Sequence, residues 1–351
     1  MESNSTKVID PCLDGVNDPE FIYWTNVQWY FKMSQPLIYL IGFLGNIVSI
    51  LAFRKQAKIS ESFYQQLNIM VIDLVSVCFY SVAELSYLFA NVWANNSQLA
   101  AQKNFFLVVL FVHSYTFAFW STSTSVVLIN GACIERLYAL YRPLKYSALN
   151  QKRVASYLLC LALLVGFLTN AQTFYAHYIS WNPADEIYIV TVPTEALENP
   201  VVRFMTQLQT TVHVAGLCTL TIFIVLIIMK YEKVMKQRAQ HGNQTGDRPV
   251  TEATLTKLLL AQCALNYTGL LGLTVSNFMI KVLIIPWCSS HIVISDTVSY
   301  FLLSLQHSLN FLIYAGISKK FRHAFVAVVR CRELPVTNLS RRVNERVLQA
   351  W

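Results

Sequence analysis

Three carboxylates stand within long, mostly apolar stretches of the sequence: Asp73, Glu84 and Asp296. A charged group in an apolar environment is costly, so such a residue usually marks a ligand or ion site. Asp73 and Glu84 are eleven residues apart, which places them on one face of a helix, about 16 Å apart along its axis. Carboxylates that face a cavity favour a cationic ligand. The alternative is that Glu84 pairs with a polar neighbour or is protonated.

Two aromatic residues, Trp93 and Tyr300, stand near these carboxylates in the sequence and are candidates for ligand contact. Aromatic residues also anchor helices at a membrane surface, and that interpretation remains open. His307 lies seven residues from both Tyr300 and Tyr314. Packing along one helix stripe therefore accounts for this histidine without a site.

The composition excludes several classes of protein. The chain has 351 residues, of which 55% are hydrophobic and 13% charged, with a net charge of +8. Soluble domains carry about 25% charged residues, so a soluble enzyme is disfavoured and a membrane protein is indicated. The positive charge would suggest a nucleic-acid partner in a soluble protein, but here we expect none.

Seven stretches are long and apolar enough to cross a membrane as helices. We therefore predict an all-α membrane protein, a seven-transmembrane helix bundle over residues 33–317. Residues 1–32 would form an extracellular tail. Residues 318–351 would form a short amphipathic helix and a cytoplasmic tail, although a continuation of the last span is the alternative. The predicted spans are Met33–Phe53, Tyr64–Ala90, Phe105–Ile134, Val154–Ile179, Phe204–Met229, Leu258–Ile280 and Ile292–Ile317.

The basic residues predict the orientation of the bundle. With the N-terminus outside, only five of the 27 Lys and Arg residues lie on the outer side, as the positive-inside rule requires. We expect a multi-pass protein of the plasma membrane, glycosylated at Asn4 and Asn95. Cys12 and Cys288 lie in outer segments and either form a disulfide or stay free. Cys331 is a candidate for palmitoylation, with a free cytosolic thiol as the alternative.

A charged motif ends the third predicted span. The segment Glu135–Leu144 begins with Glu135-Arg136 and contains Pro143. It resembles the Asp/Glu-Arg-Tyr and Pro-Leu segment of rhodopsin-like (class A) G protein-coupled receptors. The adjacent carboxylate can hold Arg136 in an ion pair, and an arginine that changes partners can serve as a switch.

Further motifs lie where this family would place them, namely Gly45-Asn46, Asn68–Asp73 and Asn310–Tyr314. The resemblance implies roles in G protein coupling for Glu135, Arg136, Pro143, Asn310 and Tyr314. It also implies a polar core that either couples conformations or binds a sodium ion, while the alternative is that its members only join helices by hydrogen bonds. No cofactor other than that ion is expected. The polar-core residues are Asn46, Asp73, Ser125 and Asn310.

The sequence departs from the family at several points. Leu137 replaces the usual Tyr, Phe311 replaces the usual Pro, and the loop before span three has no Cys. These losses suggest a divergent branch, similar to nematode neuropeptide or chemosensory receptors. Ala118 stands where amine receptors of the family have their Asp, which disfavours a biogenic amine.

The predicted function is to transmit extracellular ligand binding to a heterotrimeric G protein. We expect the ligand to be a neuropeptide with basic groups, and a chemosensory receptor for a small molecule is the alternative. A transporter is less favoured because no internal repeat is visible. No catalytic motif is present, so an enzyme is not expected.

Overall fold

The computed structural model describes eight parts of the chain. They are 19–57, 63–93, 104–176, 178–182, 187–191, 199–240, 247–281 and 290–330.

Nine helices and one β-hairpin make up the described residues. The helices are α1 (Pro19–Ala57), α2 (Tyr64–Trp93), α3 (Phe105–Tyr141), α4 (Pro143–Ser147), α5 (Gln151–Ala176), α6 (Pro200–Gln240), α7 (Asp247–Lys281), α8 (Ser290–Ile317) and α9 (Lys319–Val329). The strands are β1 (Tyr178–Asn182) and β2 (Ile187–Thr191).

Six of the helices α1 to α8 are long and apolar enough to cross a membrane. They are α1, α2, α3, α5, α6 and α7. Helix α8 is 28 residues long and packs beside α1 and α7, but it is not among these six. The helical bundle is therefore confirmed, while a count of seven membrane spans stays a prediction.

Helix α1 shows how the bundle separates core from lipid. Leu37, Leu40, Leu44 and Leu51 are all exposed, although each is a large apolar residue. They recur every three, four or seven residues, so they form one stripe along the helix. Such a stripe on the outside of a bundle suits contact with lipid rather than water. Helix α1 begins at Pro19, well inside the segment predicted to be a tail.

One close contact joins α1 to α8 at a position where the sequence departs from the family pattern. Phe311 of α8 packs directly against Gly45 of α1, where a Cβ atom would stand 2.2 Å from the phenyl Cδ1. Only glycine leaves room for a ring at that distance. The large residue at position 311 therefore requires the small one at position 45, and the pair brings α1 and α8 together.

Side chains fix where two helices begin. The Asn104 side chain accepts a hydrogen bond from the backbone N–H of Leu107, 3.3 Å away, at the start of α3. The Ser318 hydroxyl accepts one from the backbone N–H of Phe321, 3.1 Å away. Such caps satisfy N–H groups that have no partner within the helix. The second cap separates α9 from α8, so the short helix expected after the last span is present and is not a continuation of α8.

One segment beside the helical bundle forms strands. Strands β1 and β2 pair antiparallel, with Tyr178 opposite Thr191 and Asn182 opposite Ile187. The fourth predicted span extends to Ile179, but α5 ends at Ala176, so that boundary was wrong. Tyr178 and Ile179 continue the apolar sequence past the helix end, and a short apolar run alone does not separate helix from strand.

Candidate functional site

A buried acid–base pair lies at the centre of the bundle. Asp73 of α2 and His307 of α8 are both 0% exposed, and His307 Nδ1 lies 2.9 Å from Asp73 Oδ1. Asn310, one helical turn after His307, donates from Nδ2 to Asp73 Oδ2 over 2.5 Å. Both oxygens of the carboxyl group therefore have nitrogen partners.

The other ring nitrogen of His307 also has a partner. Nε2 lies 3.3 Å from Thr122 Oγ1, a hydroxyl that is 2.9 Å from the Ala118 carbonyl and can donate to it. One proton must lie between Nδ1 of His307 and Oδ1 of Asp73, because two lone pairs would otherwise face each other. Asp73 and His307 are therefore joined by a hydrogen bond in the centre of the bundle.

This pair bears on the expected sodium ion. Both carboxyl oxygens of Asp73 are engaged by nitrogen atoms. Two amide oxygens of the predicted set, Asn46 Oδ1 and Asn310 Oδ1, are buried without a hydrogen-bond partner among the described residues, and Ser125 is within reach of Asp73. Oxygen atoms suited to a cation are therefore present beside an occupied carboxyl group. Sodium binding stays a prediction, and the ion would have to compete with His307.

Three of the four predicted polar-core residues meet around His307. Asn46 Nδ2 donates to the His307 carbonyl at 2.9 Å. Asn46 and Asp73 therefore contact His307 directly, and Asn310 is connected to it through Asp73. Sequence reasoning attributed His307 to packing. Its position three residues before Asn310, on the same face of α8, was the signal that could have identified it.

Tyr314 connects three helices at the inner end of the core. Its hydroxyl donates to Gln66 Oε1 of α2 at 2.8 Å and accepts a hydrogen bond from the Gln262 side chain of α7. Phe53 packs edge-on against the Tyr314 ring, with centroids 4.6 Å apart. Because the buried Tyr314 hydroxyl is hydrogen-bonded to two other helices, a shift of either helix would change these hydrogen bonds.

The charged motif at the end of α3 differs from expectation in one respect. Arg136 is only 5% exposed, as a switch residue inside the bundle should be. Glu135, however, accepts a hydrogen bond from the Tyr146 hydroxyl of α4 at 2.6 Å. No ion pair joins Glu135 to Arg136, both of which are described, so the expected local pair was wrong in this conformation. Pro143 is the first residue of α4, where its missing N–H costs nothing.

A cavity of about 300 Å³ opens at the other end of the bundle, between α1, α2, α3 and α8. Glu84 lines it and is 3% exposed. One carboxylate oxygen of Glu84 accepts a hydrogen bond from the Tyr115 hydroxyl, and the other has no partner among the described residues. Tyr300 also lines the cavity, so two of the four predicted ligand residues meet there.

The other two predicted ligand residues do not line this cavity. Asp296 is half-buried on α8 and interacts with Ser276 of α7. Trp93 is the last residue of α2, and its side chain lies outside the described residues. Lys32, by contrast, lines the cavity and interacts electrostatically with Glu84. Sequence reasoning missed this lysine because it was assigned to the flexible tail.

Several predicted sites lie outside the described residues, so their predictions stand untested. They are the disulfide candidates Cys12 and Cys288, the glycosylation candidates Asn4 and Asn95, and the palmitoylation candidate Cys331.

Two human proteins are similar to the chain over most of its length. Olfactory receptor 8H1 of Homo sapiens is 24% identical over 341 residues, which cover 94% of this chain and 98% of the relative. Olfactory receptor 8H3 of Homo sapiens is 23% identical over 341 residues, covering 94% and 97%. No protein-family model matches the chain.

The chain is a bundle of helices of the membrane-spanning type, with a buried polar core and a cavity. Olfactory receptors are rhodopsin-like G protein-coupled receptors, and the chain is a divergent relative of that class. The relatives support a multi-pass protein of the plasma membrane with a ligand and a G protein, and they are not enzymes. They do not support a neuropeptide ligand, and the expected similarity to nematode receptors stays a prediction.

Proposed function

We propose that this protein is a chemosensory receptor that binds a small molecule on its outer side and activates a heterotrimeric G protein. The observation that carries the proposal is the cavity of about 300 Å³ among α1, α2, α3 and α8. This volume lies at the lower end of the range for small-molecule sites. It holds a molecule the size of one amino acid, which favours the small-molecule alternative over a neuropeptide.

The polar core provides a route from the cavity to the inner end of the bundle. Helix α8 carries Tyr300 at the cavity, His307 in the buried pair and Tyr314 at the inner end. Rotation or translation of α8 would change all three contacts together. A ligand that binds one packing of α8 better than another would shift the population of that packing.

Arg136 is the residue that we propose for G protein coupling. It lies at the inner end of α3, close in sequence to Pro143, which opens α4. The basic loops on this side and the outer position of the cavity fit an extracellular N-terminus. We also propose glycosylation at Asn4 and Asn95 on the outer side.

The test is a cAMP or calcium assay in cells that express the chain with an N-terminal tag for surface detection. Arg136→Ala should abolish the constitutive or ligand-induced signal at equal surface expression. Arg153→Ala is the matched control, because Arg153 is exposed at the inner end of α5. A signal that is unchanged by Arg136→Ala would contradict the proposal, and so would an ion or solute flux that survives this substitution.

A further inference from the structure

We propose that the cavity binds a small zwitterion with an aromatic body, the class to which aromatic α-amino acids belong. This inference rests on the proposed function, since it names the ligand of the same site. It is drawn from the charges, the unsatisfied acceptors and the rings that line the cavity.

The negative part of the cavity has two acceptors in need of donors. Glu84 Oε2 and Gln35 Oε1 are buried and have no hydrogen-bond partner among the described residues. Both side chains line the cavity, and Gln35 is 2% exposed. A buried acceptor without a donor is unfavourable, so the cavity favours a ligand that supplies N–H groups. A primary ammonium supplies three donors and a charge opposite to that of Glu84.

The positive part of the cavity is Lys32. It lies three residues before Gln35 on α1, so both side chains are on one face of the helix. Lys32 also interacts electrostatically with Glu84. A ligand that carries only an ammonium would be repelled by Lys32, and one that carries only a carboxylate would be repelled by Glu84. A ligand with both charges complements both residues.

Aromatic rings form the rest of the wall. Tyr115 of α3 packs edge-on against Phe111 and Tyr300, with centroids 4.8 Å and 6.1 Å away. Phe119 of α3 packs against Tyr300 of α8, with ring centroids 6.3 Å apart. All four rings line the cavity. Edge-on arrangements leave ring faces and edges available to a further ring, so an aromatic body fits here better than a polar one.

The experiment compares four probes on the purified full-length receptor by thermal shift and on cells by the signalling assay. The probes are phenylalanine, phenethylamine, 3-phenylpropanoate and 3-phenylpropanamide. They share one ring and differ in charge. Phenylalanine should bind at least tenfold more tightly than each of the other three.

Two charge variants make the test specific. Lys32→Met should reverse the preference toward phenethylamine, because the repelling cation is gone. Glu84→Gln should reverse it toward 3-phenylpropanoate, and the glutamine can still accept the Tyr115 hydrogen bond. Glu232→Gln, at an exposed position of α6, is the control and should leave the order of the probes unchanged.

The outcomes separate this inference from the proposed function. The inference of a zwitterionic ligand is wrong if phenethylamine binds best to the unaltered receptor. It is also wrong if no probe binds while Arg136-dependent signalling persists. In both cases the proposed receptor function stands. If phenylalanine binds with the expected reversals but no Arg136-dependent signal appears, the ligand class stands and the proposed function fails.

Discussion

The buried pair Asp73–His307 makes a quantitative prediction about stability. His307→Ser removes the ring that is bonded to Asp73 Oδ1 and leaves that oxygen without this partner, where both residues are 0% exposed. Removing one partner of a buried pair costs about 3–5 kcal/mol. At roughly 2–4 °C per kcal/mol, the melting temperature should fall by about 6–20 °C.

The assay is thermal unfolding of the purified receptor in detergent, with a double-mutant cycle. Asp73→Asn with His307→Ser should be less destabilised than the sum of the single variants, by roughly 0.5–3 kcal/mol. His213→Ser is the control for lost ring volume, since His213 is buried and its Nε2 lies 3.1 Å from the Ser123 hydroxyl.

Sodium provides the second half of this test. The unaltered receptor should melt at the same temperature in sodium chloride and in N-methylglucamine chloride, because His307 already occupies Asp73. His307→Ser frees the carboxylate, so sodium should stabilise that variant by about 1.4 kcal/mol once its concentration is roughly ten times the dissociation constant. Two results would contradict the role of His307 as the partner of Asp73. One is equal stabilisation of both proteins by sodium. The other is a His307→Ser variant that is as stable as the unaltered receptor.

Three further predictions test the packing of the bundle. Gly45→Ala places a Cβ 2.2 Å from a phenyl carbon of α8 and should cost about 1–3 kcal/mol in thermal unfolding, whereas Gly316→Ala meets nothing within 4 Å and should not destabilise. Tyr314→Phe leaves the two glutamine partners without the hydroxyl and should reduce ligand-induced signalling at unchanged surface expression. Cys133 and Cys263 have sulfur atoms 3.3 Å apart, so mild oxidation should join α3 to α7 and block signalling.

Each of these predictions has an outcome that would contradict it. Equal melting temperatures for the two glycine variants would show that α1 and α8 are not in close contact. Full signalling by Tyr314→Phe would remove this residue from the proposed route. Oxidation that blocks signalling equally after Cys263→Ala would rule out the bond between α3 and α7.

Much of the helical arrangement could be predicted, because the length and the ends of each helix follow from residues within or next to that helix. Hydrophobic stretches of about 20 residues appear directly in a sequence, and the start of α9 after Ser318 is a local capping signal. The fourth span was overextended because Tyr178 and Ile179 suit a strand as well as a helix end. Local patterns of this kind require no knowledge of neighbouring helices.

The inward face of each helix could not be predicted in the same way. Lipid and protein core are both apolar, so a membrane helix shows little periodicity that separates one side from the other. The polar residues Asp73 and Asn310 could still be recognised, because they match a motif. Lys32 could not be recognised as a cavity residue, because nothing in the sequence near it shows that α1 places it at the same cavity as Glu84.

The sequence by itself therefore determined that the chain is a bundle of apolar helices, with a carboxylate in its centre and an arginine at the end of α3. The tertiary structure decided the partners of these groups. His307 reaches Asp73 across 234 positions, Lys32 lies at the same cavity as Glu84, and Glu135 accepts a hydrogen bond from Tyr146. The physical reason is that a hydrogen bond or an ion pair between helices depends on the rotation and depth of both, and packing of the whole bundle sets these.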